Sequence, residues 1–393
     1  MYVGGNMESF LNSRAIALKQ GGIRGFFDKA KNYSNVINLG IGEPDIDTPK
    51  EIIDCAYNAM LEGKTHYTQN AGDLDVREAV ADYVRSYGIE SNPSNEIILT
   101  CGGMGAVAMA ILAIVSEGDE VIIQDPQWLN YCSQVRFAGG VPVQVPVREE
   151  DNFIFKAENL EKYITDKTKV LMINSPNNPT GAVMSKDDME KISKLAVKHN
   201  LFVISDEVYC ELLYDGNKHK SIASLPGMRE RTLIVNSLSK TFAMTGWRIG
   251  FAIGPKEIIA KLIVLQENLV ACAPAPAQRA AKYALSTMCE VKSMVNMYEK
   301  RRNIIVDGLN SIEGISCLKP LGAFYAFVNI KGLGKTSLEF AEGLLEQEQV
   351  VVIPGSAFGP SGEGFVRVAY SNSEENLIIA LEKIRNYVSE LKN

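Results

Sequence analysis

Between residues 96 and 253 the chain alternates short apolar runs with longer stretches whose apolar positions recur every three or four residues. The runs fall at 96–100, 120–124, 141–147, 169–174, 201–205, 231–236 and 249–253. The third alternates apolar and polar positions; the others are nearly continuous. A strand without a polar face is buried on both sides. Between the runs lie helical patterns. One is an apolar helix at 104–115, entered through Cys101-Gly102-Gly103. Another runs from Ser185, which opens a Ser-Lys-Asp-Asp capping pattern, to about His199. Together they predict an α/β fold whose large domain holds a mostly parallel seven-stranded sheet covered on both faces.

From about Pro255 the pattern changes. A helix leads to an Ala/Pro-rich stretch at 271–277, followed by a long charged helix at 289–310 and a short β pair at 323–330. A helix at 336–348, strands at 350–353 and 365–370, and a closing helix from Asn372 complete a smaller α+β domain. The expected division is a large domain at 46–287. The small domain is built from 1–45 and 288–393.

Composition narrows the function. At 393 residues with 46% apolar content, the chain can bury a large core plus a lesser one. A net charge of −7, with no basic run, argues against nucleic acid. Seven scattered cysteines without a CxxC read as reduced thiols, and three histidines without ligand spacing predict no metal site. With no signal-peptide core and no eighteen-residue apolar run, the expectation is a soluble cytoplasmic protein.

Ligands of parallel sheets collect beyond the carboxyl ends of the strands. Gly103, Trp128, Asn178, Asp206 and Lys240 all fall just past such ends. Lys240 sits in Ser237-Leu238-Ser239-Lys240-Thr241, with Arg248 eight positions on. A lysine there suits a Schiff base with an aldehyde; the hydroxyls and the guanidinium suit a phosphate. An aldehyde and a phosphate on one small molecule point to pyridoxal 5'-phosphate, although most lysines in turns are simply solvated. Asp206, after an apolar strand, would pair with a protonated pyridine nitrogen or serve as a helix N-cap. Tyr209 and Asn178 offer donors for a phenolic oxygen; the Asn-Pro composition around Asn178 also reads as a plain turn. Gly102-Gly103-Met104-Gly105 opens a helix and has the form of an anion site, or of a turn needing positive φ; it lacks GxGxxG spacing. Trp128 would stack on a planar ring or fill the core. Arg367, alternating with apolar neighbours, suits a carboxylate grip or a solvated strand face.

In order and spacing these segments resemble a class I aminotransferase of the aspartate/aromatic type, a pyridoxal-phosphate enzyme of fold type I. The resemblance rests on Ile37-Asn38-Leu39-Gly40-Ile41-Gly42-Glu43-Pro44-Asp45, His66-Tyr67, Asp125-Pro126-Gln127-Trp128, Asn178-Pro179-Thr180-Gly181 and Ser205-Asp206-Glu207-Val208-Tyr209. It continues through the stretch from Ser239 to Arg248 and ends at Val351 to Phe358 and Phe365-Val366-Arg367. It implies Lys240 as the Schiff-base lysine and Asp206 as the pyridine partner. Tyr209 and Asn178 become the phenolate donors and Trp128 the stacking ring. The phosphate cup is Gly103, Met104, Ser237 and Arg248, joined by Tyr67 from a second subunit. Gly42, Trp128, Asn178 and Arg367 become the substrate contacts. A site built from two chains implies a homodimer. The prolines of Asp125–Pro126 and Asn178–Pro179 are expected cis.

The implied activity is ping-pong transfer of an amino group from an L-amino acid to a 2-oxo acid. The Gly21-Gly22-Ile23-Arg24-Gly25-Phe26 start resembles relatives acting on aromatic amino acids and glutamate, and 269–277 lacks the arginine that dicarboxylate-specific relatives carry. Both favour aromatic or broad range with glutamate/2-oxoglutarate, with Arg24 and Arg279 as candidates for reading a distal acid. Aspartate aminotransferase, a carbon–sulfur β-lyase and a non-catalytic pyridoxal-phosphate module are the alternatives.

Overall fold

The structure is a computed structural model and describes residues 10–17 and 29–392. The segment at 21–26, with Arg24, lies outside the described residues.

The seven apolar runs form one sheet. In chain order its strands are β2 (Ile97–Thr100), β3 (Glu120–Asp125), β4 (Val141–Pro146), β5 (Thr168–Asn174), β6 (Phe202–Asp206), β7 (Thr232–Ser237) and β8 (Gly250–Ile253). The spatial order is β2-β8-β7-β6-β5-β3-β4. All pairings are parallel except the two made by β8, which runs antiparallel between β2 and β7.

Alternate residues of each strand feed opposite layers. Val170, Ile204, Val235 and Ala252 pack with Ala106, Ala110 and Ile111 of the helix Gly102–Ile114. Leu171 and Val203 face the other way, onto Ile192 and Leu195 of the helix Lys186–Lys198. Each fully buried Ile or Leu contributes roughly 1.5–3 kcal/mol, which is why a central strand here has no polar face. β4, at the edge, exposes Val141 and Pro146 and buries Val145, with 142–144 half-buried between them, so its burial does not follow the alternation read from the sequence. The capping pattern is present. Ser185 Oγ accepts from the Asp188 N–H at 3.1 Å, and Asp188 answers to the Ser185 N–H at 3.3 Å.

The C-terminal part builds its own core. A four-stranded antiparallel sheet runs β12 (Ile353–Pro354), β13 (Phe365–Ala369), β10 (Tyr325–Asn329), β9 (Ser316–Cys317). Helices Val291–Asn310, Ser337–Glu348 and Glu374–Lys392 cover it through Ile305, Leu309, Phe340, Leu344, Leu377 and Leu381. The N-terminal segment joins in through β1 (Ile37–Asn38), which pairs in parallel with β11 (Val350–Val351). Two further expectations need correction. Residues 323–330 hold a single strand, β10, whose neighbours β9 and β13 come from elsewhere in the chain. The run 350–353 divides at Val352, because its first half pairs with β1 and its second with β13.

Among the described residues, no helix is long and apolar enough to cross a membrane, and no cluster of three or more His, Cys, Asp or Glu is placed to hold a metal ion.

Candidate active site

β5, β6 and β7 end together, and their last residues open into a cavity of about 540 Å³. Gly42, Gly103, Met104, Trp128, Asn178, Asp206, Tyr209, Ser237, Lys240, Arg248 and Arg367 all line it. Residues scattered over more than three hundred positions of sequence thus meet in one space. Tyr67 is the exception: it is 87% exposed and outside the cavity of its own chain.

Lys240 follows β7 on the short helix Leu238–Thr241, and its Nζ donates to the Gly42 carbonyl. Burial brings the ammonium down to about 8; Arg367 and Arg248 push the same way, while Glu43 and Asp206 oppose. Asp206 terminates β6. Burial pushes its carboxyl up to about 6, against the Tyr131 hydroxyl at 2.6 Å and the Val208 N–H at 3.1 Å that hold it down.

Beside Lys240 the helix Gly102–Ile114 begins, among the described residues, with no side-chain cap for its first N–H groups, and its residues Gly103 and Met104 line the cavity. Arg248 crosses that helix start. A Cβ on Gly102, whose φ is +71°, would lie 2.5 Å from Arg248 Nη2. Ser237 and Ser239 bring hydroxyls to the same end, 2.8 Å apart. A free helix N-terminus, a guanidinium and two hydroxyls form an anion site.

Across the cavity Arg367 is only 4% exposed, which excludes a solvated strand face. Its Nη1 donates to Asn178 Oδ1 at 2.9 Å and its Nη2 to the Gly40 carbonyl at 2.6 Å. Nε has no partner. The guanidinium lies over the rings of Tyr325 and Phe358, at 4.5 and 4.8 Å. Asn178 is itself oriented by Asn174, whose Oδ1 accepts the Asn178 N–H at 2.9 Å and whose amide donates to the Asp206 carbonyl at 3.1 Å. Tyr209 is buried with its hydroxyl 2.8 Å from that of Tyr325. Burial raises the Tyr209 phenol well above 10. The expected cis peptides at Asp125–Pro126 and Asn178–Pro179 are present, with a third at Ser175–Pro176.

Sequence reasoning passed over Tyr131, Tyr325 and Gly40. Tyr131 stands three positions after Trp128, at helical spacing, with the rings edge-on at 5.1 Å. That spacing was a usable signal. Tyr325 carried none, since only strand pairing brings it to Arg367; Gly40 stands in the segment that carries the resemblance, with no role of its own to mark it. Arg279 does not line the cavity; its fork is taken by Asp73 and Asp75.

Residues 34–384 match the family model described as aminotransferase class I and II. The chain belongs to this aminotransferase family. It is 43% identical to aromatic-amino-acid aminotransferase 2 of Thermococcus litoralis, over 97% of this chain and 99% of that protein. It is 46% identical to an aspartate aminotransferase of Pyrococcus abyssi, over 94% and 96%. Among solved structures it matches an aromatic aminotransferase from Pyrococcus horikoshii with a TM-score of 0.89 and 45% identity, covering 93% of this chain and 99% of that one. The aminotransferase is a fold type I enzyme that depends on pyridoxal phosphate. The cavity fits that cofactor. The uncapped helix start under Arg248 takes an anion, and Lys240 offers a buried amine of lowered proton affinity.

Proposed function

We propose that the aminotransferase moves an amino group from an L-amino acid to a 2-oxo acid by a ping-pong mechanism, with aromatic or broad donor range and glutamate/2-oxoglutarate as the common pair. The observation that carries the donor range is the cavity lining. Ile41, Met104, Trp128 and Leu129 supply apolar surface, and the lining cations are Lys240, Arg248 and Arg367. Lys240 and Arg248 serve the cofactor and Arg367 the α-carboxylate, which leaves no lining cation for a second acid group among the described residues; Arg24, outside them, stays the candidate for the distal acid of glutamate. The Thermococcus litoralis relative, named for aromatic amino acids, agrees with this reading.

Bound pyridoxal phosphate supplies an electron sink for ionisation of the substrate Cα–H. Asp206 would hold the ring nitrogen, Tyr209 and Asn178 the phenolic oxygen, and Trp128 the ring face. Gly103, Met104, Ser237 and Arg248 would hold the phosphate, with Tyr67 of a second copy. Arg367, oriented by Asn178, and the Gly42 segment would grip the α-carboxylate. Lys240 would act as the base that carries the substrate Cα proton. Its lowered proton affinity supports this role, because it raises the share of free amine near neutrality.

A homodimer is part of the proposal. On the helix Lys50–Leu61 the buried side is Ile52, Ala56 and Ala59. Ile53, Tyr57, Met60 and Leu61 form a second apolar stripe that is exposed. The division into 46–287 and 1–45 with 288–393 is likewise proposed, supported by the separate core around Phe340 and Leu377. Cytoplasmic residence is proposed from the scattered, unpaired cysteines.

Half-reaction spectra against a panel of amino acids test the reading. Tyrosine, phenylalanine and glutamate should convert the cofactor. Fast conversion by aspartate with none by tyrosine or phenylalanine would replace the aromatic reading by the aspartate one, which the Pyrococcus abyssi relative's name favours. Pyruvate and ammonia released without an acceptor would indicate the lyase. Lys240→Ala should abolish turnover, and normal transamination by that variant would remove Lys240 from the mechanism.

A further inference from the structure

The residue after Asp206 is a second carboxylate, Glu207, and it too is buried. Neighbouring residues of an extended strand point to opposite faces, so Glu207 turns away from the cavity and is not among its lining residues. A carboxylate taken out of water costs several kcal/mol unless its lone pairs are filled. Here they are. His219 Nε2 stands 2.7 Å from Oε2, and the Ser221 and Ser205 hydroxyls donate to Oε1 at 2.6 and 2.9 Å. The Glu207 N–H extends the ladder to the Val235 carbonyl of β7 at 2.9 Å. The side chains of His219 and Glu207 are 4% and 5% exposed.

The cage continues outward. Tyr87 meets His219 edge-on, ring centroids 4.9 Å apart, and donates through its hydroxyl to Glu211, four residues past Glu207. Tyr83 reaches the same Glu211 oxygen at 2.8 Å. The segment that carries Asp206 and Tyr209 is therefore gripped from behind by directional bonds at both its ends. An apolar filling of the same volume would stabilise the fold about as well or better. What hydrogen bonds add is orientation. The Asp206 carboxylate, held on the cavity side by Tyr131 and Val208, needs a strand end that does not rotate.

We propose that Glu207 and His219 are a positioning pair, fixing the angle at which the end of β6 presents Asp206 and Tyr209 to the cofactor. This rests on the assignment of Asp206 and Tyr209 made under the proposed function. The test uses holoenzyme carrying His219→Ala, Ser221→Ala or His219→Gln. The readouts are the absorption maximum of the bound cofactor, its rate of release, and kcat against KM. His219→Ala and Ser221→Ala should release cofactor about tenfold faster, the scale seen when an outer hydrogen-bond partner is lost. They should also shift the absorption maximum and lower kcat more than they change KM. His219→Gln, whose amide N–H stands in for Nε2–H, should stay near the parent. A folded His219→Ala or Ser221→Ala enzyme that loses melting temperature alone, with release and absorption unchanged, overturns the proposal. Should His219→Ala not fold, Ser221→Ala decides by the same criterion. Asp206→Asn separates the two readings. If it leaves release and absorption unaltered, the Asp206 assignment falls and this proposal with it. If it alters them while the other variants do not, only this proposal falls.

Discussion

Lys240 carries its chemistry in its surroundings. Its proton affinity in the folded chain lies near 8, against an ordinary 10.5, chiefly because burial disfavours the ammonium. In the cofactor-free protein an amine-directed reagent should therefore modify Lys240 along a pH curve with its midpoint near 8, below the ordinary lysine value of 10.5. Peptide mapping across pH reads this directly; a midpoint near 10.5 would contradict it. The same shift has a stability sign. A depressed folded value means that the contribution is full above 10.5 and is lost as pH falls through about 8. Asp206 runs the other way. Raised from 3.8 to about 6, it contributes below 3.8 and loses that contribution as pH rises through 6. Lys240, Asp206 and Arg248 were legible in the sequence because each follows or answers an apolar strand. Tyr325 was not, because it reaches Arg367 only across the β10–β13 pairing.

At the scale of elements, the start of the helix Gly102–Ile114 separates two glycines that look alike in sequence. Gly102 has φ +71° and no room for a Cβ beside Arg248, whereas a Cβ on Gly105 would meet nothing nearer than Cys101 Cβ at 3.6 Å. Gly102→Ala should cost about 1–3 kcal/mol through the backbone and the displaced guanidinium, and equilibrium dialysis should show weaker cofactor retention. Gly105→Ala should be neutral or stabilising by up to about 1 kcal/mol. Equal effects of the two substitutions on retention and melting temperature would contradict this. The seven strands of the large sheet were readable because burial on both faces leaves an unbroken apolar signature. The short strands near the C-terminus were not. The break at Val352 arises because two different partners, β1 and β13, claim adjacent dipeptides, and nothing local marks such a border.

For the whole molecule, the placing of Tyr67 outside its own cavity makes the proposed dimer testable chain by chain. Mixed dimers of a Lys240→Ala chain with a Tyr67→Phe chain contain one site that has both Lys240 and an intact Tyr67, provided the tyrosine crosses over. That site should retain cofactor as the parent does, while Tyr67→Phe homodimers lose it faster. Equal loss from the mixed and the homogeneous dimers would mean that Tyr67 serves its own chain, or none.

The reversed strand β8 has a consequence for how the site tolerates change. Because β8 runs back beside β7, the connection between them, 238–249, leaves and re-enters the sheet at the same end. A parallel return would have required a crossover to the opposite end of the sheet. Lys240 and Arg248 therefore sit on one short span anchored at both ends, and that span acts as a ruler. Its length sets the separation between the amine and the guanidinium that are proposed to hold the two ends of the cofactor. Evolution can widen the donor pocket through the loops beyond β3 and β1, but a residue gained or lost between 241 and 247 would reset both ends of the cofactor at once.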